Sequence, residues 1–524
     1  MYRYKWISKH VVLAVVFVFV SSIAIYFMLS VLDRRDAASG ERADTIQDFD
    51  VTWVFDGPVR FGRFANGHYW VVGPVTVNKI LPAGDGRHHG WEVNPNDVER
   101  QGFDSRIADF DATHIPELPY RASGGQSLVK VVSLDPTASS DCRPCIKSAS
   151  VLTVLDRVPP DNGQTVFRPP YFGNKKPLIS TAGLQIKFIP QLARTKSAPS
   201  FDEIADRYKM VQLDHKVGWT GRKLHPADAM PDYGSDIGSR NAASLLALML
   251  KGDDSAKWDS IVRYVNNGID IYYMFLQGVD WPADGGHGEG RKLPAVFAAV
   301  LLGDSSMVEI LRKADNHAFG ETGGIYKSEN TKAILFGQVT APEEQYWRSL
   351  VYGTGSRTII DPYFFIDGGE QPGKSYQHCC TAKSWKATAT ALLLMPALRQ
   401  AFQGEDLLQY VRRWVKFGAW TQPDPCAPAN GLCVGGDNPG TACSTANEDR
   451  ACKGDNAICD VQSHWAENYQ ITYGPDGQGS CIRDKNPRDG IGRFPLSHGT
   501  GADGGYHGDN FADEMWVTHA AHLF

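Results

Sequence analysis

The fold turns on residues 258–302, read as WDSIVRYVNNGIDIYYMFLQG (Trp258–Gly278), then WPADGGHGEGRK (Trp281–Lys292), then LPAVFAAVLL (Leu293–Leu302). The first and last runs are apolar at helical spacing, and Pro294 falls in a first turn, where its missing N–H removes no hydrogen bond. The middle run carries Trp281, Asp284, His287, Glu289, Arg291 and Lys292 among four glycines. A polar, glycine-rich connection between two apolar helices is where a helical scaffold can present reactive side chains. A plainer alternative is that His287 and Glu289 only satisfy backbone groups at the helix ends. So many titratable types in one connection favour a site. The glycines beside His287 are expected to leave the imidazole uncrowded and to let a bulky ligand approach the backbone.

Outward from this stretch, the chain changes texture twice. From about residue 200 onward the periodicity is helical, with runs at 201–213, 238–250, 258–278, 293–302, 305–314, 342–351, 381–402, 405–420, 464–473 and 510–523. Ser200 with Glu203 forms a capping-box signature at the first of these. Between Phe49 and about Phe172 the runs are short, β-branched and aromatic (VTWVF, HYWVVGPVTV, SLVKVVSL, SVLTVLDRV), with Gly, Pro, Asn and Asp between them. These predict an antiparallel β-sandwich at 49–175. No short fixed-period repeat is present, which argues against a solenoid.

The N-terminus predicts a compartment. Arg3, Lys5 and Lys9 precede an uncharged run, Val11–Leu32, long enough to span a bilayer and without a small-residue cleavage site. Residues 1–36 are therefore expected to be an uncleaved transmembrane anchor and 37–48 a linker, with the bulk of the chain extracytoplasmic. Ten cysteines agree with export and disulfides. Cys426, Cys433, Cys443, Cys452 and Cys459 crowd a polar stretch at 421–461, which reads as a stapled insertion. Cys142-Arg143-Pro144-Cys145 lacks thioredoxin-like surroundings and reads as a local disulfide. The net charge of −6 argues against nucleic acid as a partner.

A β domain followed by a long helical series with polar loops between helix pairs resembles the (α/α)-toroid carbohydrate-active enzymes, the polysaccharide lyases and glycoside hydrolases. The resemblance covers roughly residues 50–524 in organisation and rests on helix order and loop chemistry rather than on a motif. It implies a multidomain α+β protein, with the sandwich followed by an (α/α) toroid at 200–524, and a polysaccharide substrate. No cofactor and no metal are called for.

Loops on one rim of such a toroid would converge. The residues expected to carry chemistry are His287, Glu289, Arg291, Tyr376, His378, Tyr469 and His507. Those expected to bind substrate are Trp219, Arg222, His225, Trp281, Asp284, Lys292, His464, Asn468 and Asn510. Uronate β-elimination needs a carboxylate neutraliser, a base for the C5 proton and an acid for the leaving oxygen, tasks suited to Arg, His and Tyr. Hydrolysis needs two carboxylates roughly 5–9.5 Å apart, such as Asp284 with Glu289 or Asp513. A non-catalytic carbohydrate-binding or structural role is the third reading. HExxH and GxSxG signatures are absent from the sequence. Elimination is favoured, in a membrane-tethered enzyme held by residues 11–32.

Overall fold

The computed structural model describes residues 41–135, 137, 141–252, 254–328, 332–337, 381–417, 430–434, 437–444, 448–454, 458–460, 470–472, 482–484 and 510–523. Its N-terminal half is one curled sheet. The strands are β1 (Arg42–Asp48), β2 (Val51–Arg63), β3 (Tyr69–Val72), β4 (Val75–Leu81), β5 (Trp91–Val93), β6 (Tyr120–Ala122), β7 (Gln126–Ser133) and β8 (Ile146–Leu155). They run in the order β5-β7-β8-β3-β2-β4-β6, with β1 also on β2.

This corrects the expected sandwich. Two features join what would be two sheets into a single half-barrel. β3 pairs in parallel with β8, Trp70 opposite Thr153. β2 runs on through Gly57-Pro58, pairing with β1 on both sides of it, with β4 early and with β3 at its end. Register shifts at Val54/Phe55 and at Ala43/Thr45 supply the extra local twist that bends a sheet. The sequence cue failed because Gly-Pro ordinarily ends a strand. β1 also occupies residues that read as linker.

β7 and β8 are buried on both faces, which explains their near-continuous apolar sequences. Alternate residues divide between two cores. Leu128, Leu152 and Val154 face the inside of the curl with Trp53, Val71 and Val77. Val129, Val131, Ala149 and Val151 face outward and join the helical core. Phe201, Leu246, Val265, Phe297 and Trp385 belong to that same core, so the sheet is one wall of the helical half.

The helices named here are α1 (Phe201–Arg207), α2 (Gly218–Leu224), α3 (Gly234–Leu248), α4 (Asp254–Phe275), α5 (Lys292–Leu302), α6 (Ser305–Arg312), α7 (Trp385–Leu394), α8 (Pro396–Phe402), α9 (Glu405–Phe417) and α10 (Asn510–Met515). The α1 capping box forms as expected, with the Ser200 side chain on the Glu203 amide and the Glu203 carboxylate on the Ser200 amide. α4 packs on α5 and α1, α7 on α3 and α9, and α8 on α5 and α6. Among the described residues this mixed α/β arrangement shows no toroid, a second correction. A toroid needs successive helix pairs of comparable length, whereas α4 has 22 residues and α1, α2 and α8 have 7 each. The expected 381–402 helix is broken, since Pro396 starts α8 and forces Met395 out of helical geometry.

Residues 470–472, expected to end a helix, pair as a strand with 482–484. The expected helix at 342–351 and the anchor at 11–32 lie outside the described residues. Among the described residues no helix is long and apolar enough to cross a membrane. Within the Cys-rich stretch, Asn430–Val434 pairs with Ala442–Ser444 and Ile458–Asp460, and Cys433 is bonded to Cys452. Cys433, Cys443 and Cys452 form a small core of their own. They lie within 4.8 Å of one another, but Cys443 is disulfide-bonded too, so these sulfurs are not thiolate ligands.

Candidate functional site

The loop after α4 has two depths. Its inner part is anchored by Asp214, a residue the sequence reading passed over. Arg291 donates to both oxygens of that carboxylate, Nε to Oδ2 at 2.7 Å and Nη2 to Oδ1 at 2.8 Å. His225 Nε2 lies 3.1 Å from Oδ1, with its Nδ1 3.0 Å from the Asp232 carbonyl. Trp281 donates its indole N–H to the Asp214 carbonyl at 3.1 Å and stacks on Phe319. Burial alone would raise the Asp214 carboxyl, but the Arg291 charge and hydrogen bonds from Arg291 and His225 outweigh it and hold it well below the usual carboxylate range.

Arg291 is 2 % exposed, and its Nη1 also donates to the Glu289 carbonyl. Its guanidinium is therefore occupied by the protein. Arg291, His225 and Trp281, expected to meet substrate, lie beneath the surface and hold the loop in place. Their chemistry matched a ligand's needs, but it equally matches those of a buried carboxylate.

Glu289 and Lys292 are buried as well. Glu289 accepts from the Trp385 indole at 2.8 Å, while Glu321, in the short turn Gly320–Gly323, accepts from the Lys292 amide at 3.0 Å. Burial and the Glu321 charge push the Glu289 carboxyl well above its ordinary range, and burial pushes Glu321 up too. Burial lowers the Lys292 ammonium to about 8 against the pull of Glu321, and its Nζ sits 4.7 Å from the Phe402 ring centroid. The loop glycines serve this packing. A Cβ on Gly288 would lie 2.0 Å from the Pro282 carbonyl, and one on Gly290 would meet the Gly238 backbone at 2.4 Å. They press the loop against its neighbours instead of opening it to a ligand.

The outer part is different. Asp284, at φ +34°, keeps its side chain 61 % exposed. His287 Nδ1 donates to the Asp284 carbonyl at 2.6 Å, which leaves Nε2 as the acceptor nitrogen. That Nε2 is covered and has no hydrogen-bond partner among the described residues. The imidazole meets Trp219 edge-on at 5.8 Å and Tyr233 at 5.0 Å between centroids, and the Tyr233 hydroxyl donates to the Gly285 carbonyl. Trp219, in α2, is 51 % exposed.

Two arginines flank the Trp219 ring, Arg222 at 4.8 Å and Arg143 at 5.0 Å from its centroid. Asp232 accepts from Arg222 Nε and Nη2, which leaves Nη1 for a ligand. Arg143 comes from the sheet half. The Cys142–Cys145 disulfide closes the bend that carries it, and the Cys145 amide donates to the Lys223 carbonyl at 2.8 Å, tying that bend to α2. An exposed indole, two guanidiniums and an imidazole with a free acceptor nitrogen thus meet where the β7–β8 connection touches the helices. No protein-family model, curated protein or solved structure matches this chain.

The outer group therefore contains Trp219, Arg222, Asp284 and His287 from the expected residues, together with Tyr233 and Arg143. Asn510 opens α10 and is exposed. Tyr376, His378, His464, Asn468, Tyr469 and His507 lie outside the described residues. Asp214 had one available signal: an Asp-His-Lys run directly after the mainly apolar Met210-Val211-Gln212-Leu213, where a charge needs a partner. Arg143 had only its place inside the CxxC.

Proposed function

We propose that the protein is an exported, membrane-tethered enzyme that cleaves uronate-containing polysaccharide by β-elimination, with His287 as the base. The observation that carries this reading is the setting of His287, whose Nδ1 is held by a backbone carbonyl, beside an exposed indole and Arg222. A sugar ring stacks on Trp219 after that side chain swings outward to uncover Nε2, and Arg222 Nη1 with Arg143 neutralises the uronate carboxylate, which acidifies C5–H. Nε2 takes the C5 proton, the C–H electron pair becomes the C4=C5 double bond, and the C4–O bond breaks. The imidazolium returns its proton to the leaving oxygen on the same face, which restores the base. Export is supported by the Val11–Leu32 run and by the disulfides Cys142–Cys145 and Cys433–Cys452.

Paired-carboxylate hydrolysis has weaker support. Asp284 is exposed, whereas Glu289 is fully buried against Trp385, and Asp513 is ion-paired with Lys386 at 3.1 Å. The test is incubation of the full chain with uronic-acid and neutral polysaccharides. The expected outcome is ultraviolet absorbance from the conjugated C4=C5 uronate, with His287→Ala lowering turnover by roughly a hundredfold or more. New reducing ends without that absorbance would replace elimination by hydrolysis. Binding without any product would leave a carbohydrate-binding protein.

A further inference from the structure

A cavity lies at the mouth of the half-barrel, remote in the chain from the loop described above. It encloses about 270 Å³ between the end of β4, residues 83–91, and the 115–118 segment, and Lys130 of β7 lines it. Its walls include Ile80, Trp91, Ile115 and Leu118, and the exposed side chains of Leu81 (45 %) and Leu118 (39 %) stand at its edge. A cavity of about 150 Å³ already accepts benzene when its walls are apolar.

Lys130 is out of place on such a wall. It sits between Trp91 and Ser150 in the sheet register, on the strand face that otherwise points Leu128 and Leu152 into the inner core. It is 1 % exposed, and among the described residues its ammonium donates to a single acceptor, the His89 carbonyl. The cavity lining holds Lys79 and His89 as further basic groups and no carboxylate. Asp85, the acid of the neighbouring loop, is turned to its own turn: it accepts from His88 Nδ1 at 2.8 Å and from the Arg87 and His88 amides. Burial lowers the Lys130 ammonium to about 7, with Asp85 acting weakly in the other direction. A buried ammonium without a counter-charge is costly, and an anion that brings its own apolar body removes that cost while filling the space.

We propose that this cavity is a binding site for a small organic carboxylate with an apolar body, its carboxylate paired with Lys130 and its body held between Trp91 and the Ile80/Ile115 walls. The apolar walls distinguish it from the polar, arginine-flanked rim around Trp219, so the ligand is not a segment of hydrated polysaccharide. The ligand's charge is the recognised feature. Lys79 and His89 line the cavity with Lys130, and the charge of Asp85 on the neighbouring loop, which acts on the ammonium, opposes ligand binding.

Isothermal titration of the full chain near neutral pH with benzoate and with its uncharged counterpart benzamide tests this. Benzoate is expected to bind at least tenfold tighter than benzamide, and to take up protons from the buffer on binding, seen as a dependence of the measured heat on the buffer's ionisation enthalpy. Lys130→Met should remove the preference, lowering benzoate affinity tenfold or more and sparing benzamide. The wild-type comparison stands by itself should that variant not fold. Equal affinities for benzoate and benzamide, or no heat with benzoate, would overturn the proposal, as would a folded Lys130→Met that retains the preference.

Discussion

Asp284–Gly288 and Glu289–Lys292 are consecutive pieces of one loop, similar in composition, and they meet opposite environments. The first carries an exposed carboxylate and an imidazole with an uncommitted nitrogen. The second buries a carboxyl, a guanidinium and an ammonium, each answered by protein groups more distant in the chain: Trp385, Asp214 and Glu321. Depth, not residue type, separates the two roles. A charge at the surface keeps its hydration and is available to a ligand, whereas a buried charge must be matched by the fold and is thereafter unavailable.

Removing the partner of the deeper piece should have the largest effect. Asp214→Ala leaves Arg291 buried without its carboxylate and should cost about 3–5 kcal/mol of folding stability, as breaking one side of a buried pair does. Denaturant unfolding of the two proteins measures it; a loss below about 1 kcal/mol would mean that Arg291 reaches water and that the two depths are not distinct.

The pH dependence of stability separates Asp214 by sign from the raised carboxyls, Glu289 of the loop and Glu92 and Asp48 of the sheet. In the sheet, burial pushes Glu92 up to about 7 and Asp48 up to about 6. Between their ordinary values and these, the folded chain binds protons that the unfolded chain has lost. Stability should therefore fall as pH rises from about 4.5 to about 7, by something on the order of 3 kcal/mol for Glu92. Asp214 acts in the opposite sense. Its depressed value adds stability above about pH 4, which is lost on further acidification. Thermal melts across pH 3–8 should show a maximum near pH 4–5, and in Glu92→Gln the decline toward pH 7 should flatten.

A smaller change probes the buried acids alone. Trp385→Phe keeps an aromatic ring but removes the N–H that faces Glu289, together with part of the buried indole's volume, so it should cost about 1–3 kcal/mol. The unfolding free energy reads this directly, and an unchanged value would show that Glu289 has another donor in solution. Smallest is Trp219→Ala on the outer rim. With 51 % of the residue already exposed, its stability effect should stay within about 0.5 kcal/mol, while KM for a cleaved polysaccharide rises several-fold at near-constant kcat. A marked drop in melting temperature would instead make Trp219 part of the scaffold.

What the sequence alone determined is what depends on near neighbours. The α5 run, the Ser200–Glu203 cap, the apolar runs of β7 and β8 and the chemical richness of residues 281–292 all follow from patterns a few residues long, because helix and strand geometry repeats on that scale. The tertiary structure decided the rest. That β2 continues through Gly57-Pro58 and that β3 pairs with β8 depend on strands arriving from elsewhere, and those pairings replace two sheets with one curl. That Arg291 faces inward depends on Asp214, 77 residues earlier. That Arg143 belongs beside Trp219 depends on the sheet's connection reaching α2. Whether a charged side chain meets water or a partner is set by which distant segment covers it, and the periodicity of its own segment carries no record of that.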